Sequence, residues 1–148
     1  FLAAHPLVSD VFHPSLPAHP DAAAIARLYV RTGSLLSFRV RDADEDRTRH
    51  LADVLATCVI VRYALSFDGP TTKVNHHRTV SEYFTPLEQL RRNGFDRLIR
   101  LAVGLEDPDD LCAVLNWTLH HGDSVTPADI EAWQRARVAS LGLDAVPV

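Results

Sequence analysis

The sequence predicts a two-layer α+β domain, a small and mostly antiparallel sheet with helices on one side. Three observations predict it. At 148 residues, 47% apolar and 23% charged, the chain suits one soluble globular domain. Segments of helical period alternate with short stretches of strand period. Proline, glycine and aspartate stand at the junctions between them, where helices start and chains turn.

After the short stretch Leu7 to Phe12, the segment His13 to Pro20, with three prolines in seven residues, can be neither helix nor central strand and reads as an ordered connector or a surface arm. Asp21 caps a helix with Ala22, Ile25, Ala26 and Tyr29 at helical spacing, and Gly33 stops it. Leu36, Phe38 and Val40 alternate with Leu35, Ser37 and Arg39 as a half-buried strand. From Asp44 to about Ala56, Leu51, Val54 and Leu55 line one face of an amphipathic helix, and Asp42, Asp44, Glu45 and Asp46 are its solvent-facing start. Cys58 to Val61 reads as a buried strand. Ser66 to about Phe84 has no clean period and reads as a long loop, the place to look for chemistry.

Thr85-Pro86 opens a short helix through Arg92, proline being favoured at the first helical position, and Asn93-Gly94 turns the chain. Leu98 to Val103 is a strand. Asp107-Pro108-Asp109-Asp110 then starts a helix with a capping carboxylate and acids at the positive end of its dipole. Leu111, Val114, Leu115 and Leu119 give that helix its buried stripe. Ser124-Val125-Thr126-Pro127 leads into a last helix, Ala128 to Ser140, and residues 141–148 are a tail.

Nineteen acids against fifteen bases give a net charge of -4 without a basic block, so nothing favours nucleic acid or an anionic membrane. No apolar stretch approaches the ~18 residues of a membrane span, and none of the residues given reads as a secretory signal. Cys58 and Cys112 read as buried free thiols of a reducing, cytoplasmic compartment. His76-His77 and His120-His121 lack the ligand spacing of a metal site and read as solvated or helix-end histidines, with one of the first pair left open as a substrate contact. The chain begins Phe1-Leu2-Ala3-Ala4 and contains no methionine, and it reads as a fragment.

Arg100 is the sharpest chemical feature. A guanidinium inside an apolar strand must meet an anion, because stripping it of water costs several kcal/mol, on the order given for buried ions. That anion is either an internal acid or the carboxylate or phosphate of a ligand, which a guanidinium grips as a fork.

Leu98-Ile99-Arg100-Leu101-Ala102-Val103-Gly104-Leu105-Glu106-Asp107-Pro108-Asp109-Asp110-Leu111 closely resembles the (L/I)-(V/I)-R-L-S-V-G-x-E-D-x-x-D-L signature of the Cys/Met-metabolism enzymes that use pyridoxal 5'-phosphate. Leu2-Ala3-Ala4-His5-Pro6-Leu7-Val8 with His13 to Pro20 is similar to that family's L-x-x-H-P-x-V and Y-P-G-L-x-x-H-P blocks. Gly33 to Phe38 is similar to its G-G-M-x-S-F. The blocks occur in family order from residue 2 to about residue 119.

The resemblance implies that residues 1–121 form the C-terminal domain of a fold-type I enzyme, with 122–148 a helical extension and tail. The N-terminal domain that binds pyridoxal phosphate would be the partner of this part within the same enzyme, and the family's habit is a homo-oligomer, dimer or tetramer. It implies that Arg100 binds the substrate α-carboxylate and that Ser66 stands beside the cofactor's lysine and that carboxylate. The family's S-L-G-G-x-E-S-L is here Ser66-Phe67-Asp68-Gly69-Pro70-Thr71-Thr72-Lys73, and its M-T-H is Val80-Ser81-Glu82, so the active-site loop is rewritten. Leu65 replaces the glutamate that many cystathionine-handling members carry, which disfavours cystathionine as substrate.

Lys73 is the only lysine against fourteen arginines, and Thr71-Thr72-Lys73 echoes the S-x-T-K motif of the cofactor's lysine. Register from Ser66 places Lys73 where the family has leucine, so no cofactor-binding residue is assigned to this chain. The implied activity is a C–S lyase or trans-sulfuration reaction on a cysteine- or homocysteine-type substrate. The extension and altered loop would also suit a cysteine lyase embedded in polyketide biosynthesis. A non-catalytic remnant that keeps the fold is the alternative.

Overall fold

The computed structural model describes residues 1–58, 60–66 and 69–140. In chain order the strands are β1 (Val8–Phe12), β2 (Leu35–Val40), β3 (Arg62–Tyr63), β4 (Lys73–His76) and β5 (Ile99–Ala102). The helices are α1 (Ala22–Leu28), α2 (Glu45–Thr57), α3 (His77–Ser81), α4 (Leu87–Asn93), α5 (Pro108–His121) and α6 (Pro127–Ser140). One sheet holds all five strands in the order β1-β2-β5-β4-β3. Its first three neighbouring pairs are antiparallel, and only β3 runs parallel to β4.

Strand pairing sorts the side chains onto two faces. Leu36, Leu101 and Val74 stand in one row, and Phe38, Ile99 and His76 in the next, on the face covered by α2 and α5. Phe38, Leu101 and Val74 are almost wholly removed from water together with Leu51 and Leu55 of α2 and Leu115 of α5. Each such side chain contributes about 1.5–3 kcal/mol on burial. The opposite face carries the rows Leu35, Ala102, Lys73 and Ser37, Arg100, Asn75.

The helix starts follow the side-chain chemistry. Asp44 accepts from the backbone N–H of Arg47 at 2.9 Å, and Asp107 from that of Asp109 at 2.8 Å with Pro108 in the first turn. Thr126 and Asp129 bond reciprocally and begin α6. No residue of α6 is buried.

Several sequence expectations are corrected. The stretch read as a loop, Ser66 to Phe84, contains β4 and α3. Strand β4 escapes notice because Asn75 and His76, adjacent and on opposite faces, are both buried, which erases the apolar-polar alternation. Of the stretch Cys58 to Val61, the described residues Cys58, Ile60 and Val61 do not pair as a strand; strand pairing begins at Arg62, and Val59 lies outside the described residues. Cys58 instead ends α2, its sulfur accepting from the N–H of Val61 at 3.3 Å, so Val61 is buried without a strand partner.

Helix α1 ends at Leu28, five residues short of Gly33, because Tyr29 is already extended. Asp21 precedes α1 without a capping bond from its side chain. Pro86 lies just outside α4 rather than in its first turn. His76 is fully buried, not solvated, and His77 is half-buried at the start of α3. Both cysteines are free and half-buried. Glu45 pairs with Arg78 instead of simply facing solvent, which ties α3 to α2. The tail, 141–148, lies outside the described residues.

Candidate active site

Arg100 is the centre of the face opposite α2 and α5. The strand register places it between Ser37 of β2 and Asn75 of β4, so its guanidinium rises from a row of polar neighbours rather than from the core. Burial pushes the guanidinium below its ordinary pKa, and the nearby Glu82 carboxylate works against that shift. It stays a cation, half-buried and therefore only partly screened by water from an anion that meets it.

Helix α3 supplies two acceptors to Arg100. Nη1 donates to Ser81 Oγ at 2.9 Å and to His77 Nδ1 at 3.3 Å. His77 stacks edge-on against Phe95, with ring centres 5.3 Å apart, and its Nε2 lies 3.8 Å from Glu82 Oε1. Burial and the Arg100 charge both hold the His77 imidazole below the ordinary histidine pKa, while Glu82 pulls it up.

Ser66, expected beside the carboxylate, lies in an exposed turn just after β3, and its hydroxyl makes no hydrogen bond among the described residues. The neighbouring backbone ties it to the site. Asn75 Nδ2 donates to the carbonyl oxygen of Ala64 at 3.0 Å, and Ala64 N–H donates to Val74 O at 3.3 Å. Asn75 is itself fully buried, and its Oδ1 finds no partner among the described residues. Leu65 is 78% exposed. Lys73 shares the face of Arg100 one row away, level with Ala102, and its Nζ rests against Gly69.

Glu106 lies in the same motif as Arg100, and its part in the fold is not visible from spacing alone. Its carboxylate accepts from both the backbone N–H and the hydroxyl of Thr72, the latter at 2.6 Å. Thr72 Oγ1 also accepts from Gly104 N–H at 2.9 Å, and Leu105 N–H donates to Pro70 O at 2.8 Å. A Cβ on Gly104 would stand 2.5 Å from Pro70 O, so this glycine is required by the close approach of the loop. The motif therefore anchors the segment that leads into β4. Nothing in the sequence marks His77 as a partner of Arg100, because the contact depends on α3 starting beside Leu98, where His77 N–H donates to Leu98 O.

A half-buried guanidinium oriented by a hydroxyl and an imidazole fits an amino-acid carboxylate. Among the described residues no cluster of three or more metal-ligating side chains forms. No described helix is long and apolar enough to cross a membrane.

The fold is that of part of the fold-type I enzymes that use pyridoxal phosphate. It superposes on a cystathionine γ-lyase of Micromonospora echinospora with a TM-score of 0.70 at 29% identity, covering 80% of this chain and 30% of that one. It also superposes on a cystathionine γ-synthase of Xanthomonas oryzae solved in complex with cystathionine, with a TM-score of 0.71 at 26% identity, covering 84% and 32%. Residues 1–120 match the family described as Cys/Met metabolism PLP-dependent enzyme, and the chain belongs to that family. The chloroplastic cystathionine γ-synthase 1 of Arabidopsis thaliana is 34% identical over 113 residues, 76% of this chain and 19% of the relative. The chain spans less than a third of the length of the curated relatives it matches.

Proposed function

We propose that residues 1–121 are the C-terminal domain of a pyridoxal-phosphate-dependent carbon–sulfur lyase or trans-sulfuration enzyme acting on a cysteine- or homocysteine-type substrate. The observation that carries this reading is Arg100, a partly desolvated guanidinium on the sheet face away from the helical layer, oriented by Ser81 and His77. Arg100 fixes the substrate α-carboxylate through paired N–H donors. Ser66, on the loop tethered through Asn75, helps place the cofactor's lysine, which belongs to the N-terminal domain of the same enzyme.

The residues of this chain fit the carboxylate end of an amino acid. Pyridoxal phosphate, held mainly by residues outside the chain, supplies the electron sink that lets the Cα proton leave. Arg100 contributes orientation, so that the scissile Cα bond is set by where the carboxylate is pinned. Leu65, apolar and exposed, offers no carboxylate to the distal ammonium of cystathionine, which favours a substrate without that group. The segment from 122 onward, including α6, is an extension past the family match and would suit a connection to a further domain, as in a lyase of polyketide biosynthesis. A cytoplasmic homo-oligomer is the setting we infer from the family.

The test is absorbance of the full-length protein with added pyridoxal phosphate. A long-wavelength band of lysine-bound cofactor that shifts with cysteine-type thioethers supports the lyase. No band in a chain that contains all upstream sequence would leave the non-catalytic alternative.

A further inference from the structure

We propose that His77 is the positioning residue of the Arg100 site: its imidazole accepts at Nδ1 from Arg100 Nη1 and so sets the orientation in which the guanidinium receives a carboxylate. The proposal rests on the reading of Arg100 as the carboxylate ligand.

Arginine carries donors and no acceptor, so the 3.3 Å contact is a hydrogen bond only if Nδ1 is unprotonated. The proton of a neutral His77 then sits on Nε2, the nitrogen that faces Glu82 Oε1 at 3.8 Å. The ring is fixed from two more directions. Phe95 meets it edge-on at 89°, and the His77 backbone N–H is bonded to Leu98 O at 2.9 Å, one residue before β5. His77 and Ser81 are four residues apart on α3 and present two acceptors on one side of the helix. Their bonds use both hydrogens of Nη1. Arg78, paired with Glu45, holds α3 in place.

The same geometry makes the site sensitive to protons. The charged groups that bear on His77 are Arg100 from β5, Glu82 after α3 and His76 from β4. A proton on Nδ1 replaces the acceptor with a donor and sets a second cation against the guanidinium, so Arg100 leaves its docked orientation. Carboxylate binding weakens on acidification, in a window below the ordinary histidine value.

The experiment is steady-state kinetics of the full-length enzyme against pH, with an amino-acid substrate that it turns over. His77→Leu is expected to raise KM about tenfold, the order of one hydrogen bond to a charged group, with a smaller change in kcat and no acid limb in KM. His77→Asn places an acceptor near the Nδ1 position and is expected to restore KM while still lacking the acid limb. If His77→Leu does not fold, the His77→Asn profile decides alone, and an acid limb that survives in it overturns the proposal. An unchanged KM in a folded His77→Leu enzyme also overturns it. Arg100→Ala separates the two readings. A large rise in KM there with no effect at His77 sinks only the positioning role, whereas no rise at Arg100 sinks the carboxylate reading as well.

Discussion

Glu106, just after β5, takes both the backbone N–H and the hydroxyl of Thr72, just before β4, onto one carboxylate. Two loops that are 34 residues apart in sequence are thereby closed on each other at the end of the sheet nearest Lys73.

Glu106→Gln puts an amide NH2 where an acceptor is needed, so one of the two Thr72 donors loses its partner. The expected cost is about 1–3 kcal/mol, read as a lower urea midpoint with an unchanged slope. Burial pushes the Glu106 carboxyl up, and the Thr72 bonds outweigh it, leaving the group below the ordinary glutamate pKa. Its contribution is therefore complete above the ordinary glutamate range and is lost as pH falls through the lowered value. That portion of the acid dependence is expected to be missing from the Gln variant. An identical acid profile in the two proteins would contradict the clamp.

Gly104 and Gly33 predict opposite kinds of damage from alanine. At Gly104 a methyl group strikes Pro70 O and the backbone of Thr71, so the loop must move, at about 1–3 kcal/mol. At Gly33 nothing lies within 4 Å, but its φ of +80° strains any Cβ, at roughly 1 kcal/mol. Gly104→Ala should also alter amide-exchange protection across residues 69–74, whereas Gly33→Ala should leave that segment as it was.

Arg100→Lys keeps the charge and loses the fork. A lysine cannot present two parallel N–H groups to a carboxylate, so KM of the full-length enzyme should rise on the order of tenfold to a hundredfold. Recovery of normal KM by lysine would mean that Arg100 acts only as a point charge.

His76 predicts a second acid sensitivity, of folding rather than of binding. Its Nε2 lies 2.8 Å from Asp96 O and its Nδ1 2.7 Å from Thr79 Oγ1, which suits the neutral ring with the proton on Nε2. Burial holds its pKa below the ordinary histidine value. The unfolded chain then takes up the proton first, so stability is full above about pH 6.5 and declines as pH falls toward the folded value. Chemical unfolding at a series of pH values should show this decline weakened in His76→Gln once the variant's own loss of stability at neutral pH is subtracted.

Local signals settled much of this protein. Asp44, Asp107 and Thr126 start their helices through backbone N–H groups only a few residues away, and the leucines of α5 repeat at helical spacing, so short-range chemistry is sufficient there. Arg100 was legible because a charge within an apolar strand is conspicuous in any register. The family, too, was legible, because its motifs record local backbone requirements such as Gly104. What only the tertiary structure decided is what depends on distant pairing. β4 forms between β3 and β5 with buried Asn75 and His76, whose polar groups are acceptable only because Ala64, Thr79 and Asp96 meet them. His77 and Ser81 become parts of the Arg100 site only because β4 pairs with β5 and carries α3 to its end, and Glu106 acquires its role only when Thr72 arrives. A burial pattern that mixes polar groups into the core has no period to read, since the partners that satisfy those groups come from elsewhere in the chain.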